Sequence, residues 1–304
     1  MERRRYWVLG ASDPEMESIE HLLREAGETV VYATVGGRRV SPGDAYRCDP
    51  VMGATHWVEC APVKGRPAGA VVIDHHRPGD PGYGRPPKDY WAASSLGQVW
   101  AALGWAASEP GPDLRMVAAA DHCLAAAYRC ECPGVDPEAL MRWRAESRAA
   151  FQRRPVEAVL ADVERARERL RTAPCICLAC GNRRQDIDDP DCDCNRGPSP
   201  YGPGWGSIVA DLRGKEVPEL PEAAARDGIP FLGTPRPGPD GRKKVVLQAA
   251  TQKQVELFMK SWGPREGLLD IYGDPARGFA GGYLSEGNHG HGPGSGGPRC
   301  ASLE

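Results

Sequence analysis

The stretch VVIDHHRPGD, residues 71–80, drives a β-branched apolar run straight into one carboxylate and two imidazoles, Asp74, His75 and His76. The chain has seven histidines in 304 residues, so two side by side at the end of a strand call for an account. Open α/β sheets gather their ligands at the carboxyl ends of the strands. Asp74 would sit at such an end.

The surrounding pattern says what kind of sheet this is. Upstream, RYWVLGA reads as a strand, and DPEMESIEHLLREAG as a helix whose Met16, Ile19, Leu22 and Leu23 share one stripe. Gly27 would end that helix. ETVVYAT and THWVEC are two more β-rich runs, while YWAASSLGQVWAALGW and DLRMVAAADHCLAAAYR read as helices or a strand–helix mix. Such alternation predicts an α/β fold over residues 1–150, a mostly parallel sheet flanked by helices. A charged connecting helix is expected over 151–174, starting after Pro155. Residues 175–206 read as a loop rich in Cys, Asp, Gly and Pro, and 207–284 as a smaller α+β domain built from SIVADLRG, GIPFLGT, KKVVLQAA and TQKQVELFMKSWGP. The tail, 285–304, has too few apolar groups to form a core and is expected to be disordered.

Composition narrows the function classes. Lys plus Arg (38) nearly balances Asp plus Glu (41), so net charge gives no sign of a strongly basic nucleic-acid surface. No run approaches about 18 apolar residues, and the N-terminus lacks an export-signal core; a soluble cytoplasmic protein with no membrane partner is expected. Eleven cysteines, an odd count in a long chain, point to metal ligation or reduced thiols.

Four places in the front domain put acids or imidazoles at expected strand ends: Asp13, Glu15 and Glu17 after YWVLGAS; His56 and Glu59 around THWVEC; Asp74, His75 and His76; and Asp121 with His122 after RMVAAA. If the strands are parallel and adjacent, all four sets open on one edge. That is what a two-metal hydrolytic site needs, because two close cations must be bridged and neutralised by several carboxylates. Other readings stand beside this one. Acids at 13, 15 and 17 also suit the positive first turn of a helix, Glu59 also fits an exposed strand end, and His122 a group behind a ligand.

VVIDHH resembles the signature of the DHH phosphoesterase superfamily, which includes RecJ-like nucleases, small-oligonucleotide and cyclic-dinucleotide phosphodiesterases, and family II inorganic pyrophosphatases. GASDPEMESI, residues 10–19, looks like a variant of that superfamily's first motif, often written GHxNPDTDSI. Glu15 and Glu17 then stand where two metal-binding aspartates are expected, Asp13 falls on the Asn position, and Ala11 replaces the histidine. Glu59 is similar in place to the acid of the second motif, and Asp121 to that of the fourth. The resemblance implies a binuclear Mn²⁺ (or Mg²⁺) centre held by Glu15, Glu17, Glu59, Asp74, His75 and Asp121, with His76 and His122 orienting water and phosphate. His122 or His56 could supply the imidazole lost at Ala11.

DHH proteins carry a second, closing domain. GDPARGFAGGYL, residues 273–284, resembles its Gly-Gly segment, with Arg277, Gly278, Gly281 and Gly282 as the expected substrate-binding residues; a turn with no ligand is the other reading. Cys175, Cys177, Cys180, Cys192 and Cys194 form a C-x-C-x2-C…C-x-C array that could hold structural zinc, or remain thiols in an inserted loop. Taken together, the sequence predicts a metal-dependent phosphoesterase, a hydrolase acting on a short oligonucleotide or nucleotide phosphodiester and not on long duplexes. The alternatives are an inorganic pyrophosphatase-like enzyme or a degenerate DHH protein that binds nucleotide or metal without turnover. A homodimer is compatible with each.

Overall fold

The structure is a computed structural model that describes residues 5–181, 183–184, 206–235, 237 and 241–285. Cys192, Cys194 and the tail from 286 lie outside the described residues. The chain divides into two compact units, residues 1–161 and 162–304.

In chain order the first unit runs β1 (Tyr6–Leu9), α1 (Pro14–Glu25), β2 (Thr29–Tyr32), a small hairpin of β3 (Thr34–Val35) and β4 (Arg38–Arg39), then β5 (His56–Val58) and β6 (Val71–Ile73). The helices α2 (Tyr90–Ala93), α3 (Ser95–Ala102), α4 (Pro112–Tyr128) and α5 (Pro137–Gln152) follow, and α6 (Val156–Arg171) crosses the division. The main sheet of this unit has the order β2-β1-β5-β6 and is parallel throughout. Its register is level at the carboxyl ends: Leu9 faces both Tyr32 and Val58, and Val58 faces Ile73. The chain builds outward from β1 to β2, then returns to the other side of β1. Strand order therefore reverses between β1 and β5, and the crevice at such a reversal is where α/β sheets bind ligands.

Alternation along β1 sorts its side chains onto two faces. Trp7 and Leu9 join Met16, Ile19 and Leu23 of α1, Leu96 and Val99 of α3 and Ala118 of α4 in the main core. Val8 faces the other way, into a smaller core with Ala33, Val40, Cys48, Trp57 and Cys60. Helices thus cover one face, and the hairpin with the irregular chain of 40–62 covers the other. α1 starts where the sequence predicts: Asp13 is its N-cap, Oδ1 accepting from the Met16 N–H at 2.7 Å, with Pro14 in the first turn and Gly27 at φ 72° past its end. RMVAAA is not a strand. It is the first half of α4, whose apolar run is as compatible with a buried helix as with a strand.

The second unit comprises β7 (Cys175–Cys177), β8 (Arg183–Arg184), β9 (Ile208–Asp211), α7 (Leu220–Asp227), β10 (Phe231–Gly233), β11 (Lys244–Gln248), α8 (Gln252–Leu257), α9 (Gly263–Arg265), β12 (Leu269–Asp274) and β13 (Phe279–Tyr283). Its strands form one mixed sheet in the order β12-β13-β11-β10-β9-β7-β8. β9 and β10 are parallel, joined through α7, and the other neighbours are antiparallel. Thr251 and Gln254 close a reciprocal capping box at the start of α8. Val255, Phe258 and Trp262 then bury against Val209, Leu232, Val245 and Leu247. Where the sequence reads a loop from 175, the chain has already entered this sheet as β7. The fold class is therefore α/β, a parallel sheet with helices followed by a smaller mixed-sheet unit. Among the described residues no helix is long and apolar enough to cross a membrane.

Candidate metal centre

The carboxyl ends of β1, β5 and β6 deliver the chemistry. β5 ends into Glu59, β6 into Asp74, His75 and His76, and β1 into the turn that leads through Asp13 to Glu15 on α1. α4 brings Asp121 and His122 from the helical layer. Ligand atoms of Glu59, His75, His76 and Asp121 all lie within 4.8 Å of one another, a set able to hold a metal ion. His75 Nε2 is 2.9 Å from Asp121 Oδ2 and 3.4 Å from Glu59 Oε1, and His76 Nδ1 is 4.0 Å from the same Glu59 oxygen.

Close backbone approach makes this convergence possible. The Gly10 N–H donates to the Val58 carbonyl at 3.0 Å, and a Cβ at Gly10 would sit 2.7 Å from the Glu59 carbonyl oxygen. Only glycine lets β1 and β5 end so near each other. Glu59 itself has φ 50°, a left-handed conformation that a non-glycine residue adopts at a cost and that collects at functional sites. At Gly82, a Cβ would meet the Ala93 carbonyl at 1.9 Å and the His75 Cβ at 2.6 Å, so the bare backbone fills the space behind His75.

Asp74 does a different job from its neighbours. It is fully buried. Oδ1 accepts from the N–H groups of His75 (2.8 Å) and His76 (3.1 Å) and faces His76 Nδ1 at 3.1 Å. The Tyr46 hydroxyl donates to both oxygens at 3.0 Å, and Arg66 pairs with Oδ2 at 3.0 Å while its Nε donates to the Cys60 carbonyl. Burial would raise the pKa of this carboxyl, but the hydrogen bond and charge of His76, with the other donors, hold it down at about 2. Gln98 completes the frame: its carboxamide accepts from the Asp74 N–H at 3.2 Å and donates to the Asp74 carbonyl at 3.1 Å, as a neighbouring strand would. Asp74 is thus the anchor that sets the direction of the two imidazoles, and it stands outside the four-residue group.

The remaining acids differ in how their charge is met. Glu15 is buried; Oε1 accepts from the Leu96 N–H at 3.0 Å, and Oε2 has no hydrogen-bond partner among the described residues. Burial, with the negative charges of Asp121 and Glu59, pushes the Glu15 pKa well up. The same causes push the half-buried Asp13 up to about 8. Glu59 goes the other way: burial opposes its ionisation, but the charge of His76 and the hydrogen bond of His75 outweigh it. Two carboxylates and two imidazoles, with Asp13 and an orphaned Glu15 oxygen beside them, are a donor set that could hold a metal ion, and a cation there would offset both the burial and the repulsion that raise these pKa values. The residues present fit the group that the sequence resemblance implies.

Several expected positions fall elsewhere. Glu17 is exposed, with the Ser12 hydroxyl at 3.4 Å. His56 lies at the opposite end of β5 from Glu59, stacked on Trp7 with Nδ1 at 2.8 Å from the Thr55 hydroxyl, and cannot replace an imidazole at Ala11. His122 is buried behind His75, the two Nδ1 atoms 2.9 Å apart, and its Nε2 faces the Arg85 carbonyl at 3.3 Å. Sequence motifs gave no hint of Tyr46, Arg66 or Gln98, which sit in stretches of ordinary composition.

In the second unit, Arg277 and Gly278 form the turn between β12 and β13. The Arg277 N–H donates to Asp274 Oδ1 at 3.3 Å, and its guanidinium lies 5.1 Å from the Phe279 ring centre. Gly278, at φ 74°, abuts the Ala250 carbonyl. The Tyr272 side chain takes the place a Cβ would occupy at Gly281, and Leu268 crowds that place at Gly282, so both glycines serve strand packing. Cys175 and Cys177 are buried with Ile208, and Cys180 borders them.

No protein-family model matches the chain, and no curated protein matches it. Among solved structures it is similar to a pGpG-specific phosphodiesterase from Vibrio cholerae, at 12% identity and a TM-score of 0.37 over 93% of this chain and 94% of that one. That likeness is loose, and the chemistry of the site rests on its own residues.

Proposed function

We propose that the protein is a divalent-metal-dependent phosphoesterase of the DHH type that hydrolyses a short oligonucleotide or nucleotide phosphodiester. One observation carries the reading: ligand atoms of Glu59, His75, His76 and Asp121 lie within 4.8 Å of one another beyond the carboxyl ends of the neighbouring parallel strands β5 and β6. The sequence resemblance of VVIDHH and GASDPEMESI supports it.

Glu59, His75, His76 and Asp121 would hold the first ion, Mn²⁺ or Mg²⁺, and Glu15 with Asp13 would contribute toward a second. Divalent cations, when bound there, would supply the Lewis acidity that makes water nucleophilic and neutralises charge on phosphoryl oxygens. The rest is the chain's own work. Asp74, clamped by Tyr46 and Arg66, fixes the backbone from which both imidazoles project. His122 holds His75 from behind. His76, whose side chain is 34% exposed, is the more open of the two imidazoles and would also orient a phosphate. Whether Arg277 takes part in substrate binding is best asked with Arg277→Ala, expected to raise KM and leave kcat nearly unchanged.

The test is a panel of a linear dinucleotide, a cyclic dinucleotide and pyrophosphate, with and without Mn²⁺. Mn²⁺-stimulated cleavage of a dinucleotide supports the proposal. Release of phosphate from pyrophosphate alone would move the protein to the pyrophosphatase-like reading, and nucleotide binding with no turnover of any substrate to the binding-only one.

A further inference from the structure

The break in α4 puts two thiols within reach of each other beside the acid cluster. Cys123 follows Asp121 and His122 directly, and its backbone, at φ −157° and ψ 57°, leaves the helical region inside the helix. Its Sγ lies 3.2 Å from that of Cys132, in the segment after the helix ends. Both residues are buried, 3% and 2% exposed. A disulfide has an S–S bond of about 2.05 Å, so the sulfurs need to approach by only a little over an ångström. The non-helical residue is where the chain has slack to supply it.

We propose that Cys123 and Cys132 are an oxidative modification site, a dithiol that closes to a disulfide and, in closing, shifts Asp121 and His122 against His75. The co-reactant is hydrogen peroxide. One sulfur attacks a peroxide oxygen, the O–O bond breaks, water leaves, and a sulfenic acid forms. The second sulfur then attacks the sulfenic sulfur, the S–S bond forms, and a second water departs. Two thiols are oxidised by two electrons, and the peroxide is reduced to two waters. Burial of the pair keeps out a protein-sized oxidant, so the co-reactant has to be small. The exposed thiol of Cys130, two residues from Cys132, provides an internal competitor.

The coupling to the site follows from position. Asp121 faces His75 Nε2 at 2.9 Å, and His122 faces His75 Nδ1 at 2.9 Å. Both belong to the turn of α4 that ends at Cys123. A pull on the Cys123 backbone therefore moves the two groups that hold one imidazole from opposite sides. The effect on metal rests on the proposed phosphoesterase site, but the thiol chemistry and the imidazole movement do not.

The experiment treats the full-length, metal-free protein with a molar equivalent of hydrogen peroxide, alkylates remaining thiols and maps the disulfides by mass spectrometry. Long-range ¹H–¹⁵N spectra of the histidine rings are recorded before oxidation, after it and after dithiothreitol. A Cys123–Cys132 bond is expected, with His75 and His122 ring signals that shift and then return on reduction. Cys132→Ser and Cys132→Ala, each checked for an unchanged melting temperature, should keep the reduced-state signals and lose the response. Mn²⁺ binding should weaken about tenfold on oxidation, the scale on which outer partners of metal ligands act. The proposal is overturned if Cys123 and Cys132 remain alkylatable while Cys130 is oxidised, if the bond forms to another cysteine, or if the disulfide forms and the ring signals stay put. Absence of Mn²⁺ binding in both redox states would instead overturn the phosphoesterase reading, and the ring signals would still decide this one.

Discussion

His75 Nε2 lies 2.9 Å from Asp121 Oδ2, joining the outer strand of the parallel sheet to the middle of α4. The two residues are 46 positions apart on different layers, and Glu59 meets the same nitrogen from a third element at 3.4 Å. An imidazole nitrogen between two carboxylates calls for a positive centre, either a proton or a metal ion. Beside them, burial and the negative charges of Asp121 and Glu59 raise the pKa values of Asp13 and Glu15.

Metal loading should therefore expel protons. With its pKa near 8, Asp13 is protonated at neutral pH in the metal-free protein, and Glu15 is pushed the same way. Calorimetric Mn²⁺ titrations at pH 7 in buffers of differing ionisation enthalpy should report release of about one proton or more per chain. The sign on stability is the reverse of the usual acid case. The folded state binds the Asp13 proton more tightly than the unfolded chain, so this group lowers stability as pH rises from about 4 to about 8. Metal-free Glu15→Gln, which removes the orphaned charge, should melt higher than the parent above neutral pH and gain less from Mn²⁺. Zero net proton release would contradict the charge reading.

Asp74 gives the opposite limb. Its pKa is held at about 2, against 3.8 for an ordinary aspartate. Its contribution is present above pH 4 and lost as pH falls toward 2, and it amounts to roughly 2 kcal/mol. Tyr46→Phe removes the hydroxyl that both Asp74 oxygens accept from. The loss of a buried donor to a charged acceptor should cost about 1–3 kcal/mol at pH 7 and flatten the acid limb. Urea unfolding at several pH values checks both. An unchanged acid limb would show that Tyr46 does not hold Asp74 ionised.

Much of the sheet was legible because period and composition agree: the β-rich runs at 6–9, 29–32, 56–58 and 71–73 are all strands, and Met16, Ile19, Leu22 and Leu23 do form the buried stripe of α1. The phase of that helix also explains Glu17. With Asp13 as N-cap, Glu15 turns inward beside Met16, and a residue two positions on points away from it. A motif read as letters cannot show this. His56 fails as a ligand for a similar reason. Three residues along a strand is about 10 Å, which puts it at the wrong end of β5. Tyr46 and Arg66 were out of reach because their role is to satisfy a buried charge supplied by a segment distant in sequence.

Gly82 offers a steric test. Gly82→Ala would place a methyl against the Ala93 carbonyl and the His75 Cβ. Overpacking of this kind costs about 1–3 kcal/mol, and here it should also displace His75 and weaken Mn²⁺ binding. Gly111→Ala is the control, since nothing lies within 4 Å of its added carbon. Thermal melts and Mn²⁺ titration of the two variants should separate them. Equal tolerance at both positions would mean that the contact behind His75 does not position it.

The most direct measurement is a Mn²⁺ titration, by electron paramagnetic resonance, of metal-stripped protein and of the His75→Gln and Asp121→Asn variants, with folding verified by melting. The parent should bind at least one ion per chain, and each variant should lose more than the roughly 10–100-fold in affinity typical of an outer partner. If the parent binds no Mn²⁺, or if both variants bind it as tightly as the parent, Glu59, His75, His76 and Asp121 do not form a metal centre and the phosphoesterase reading is contradicted.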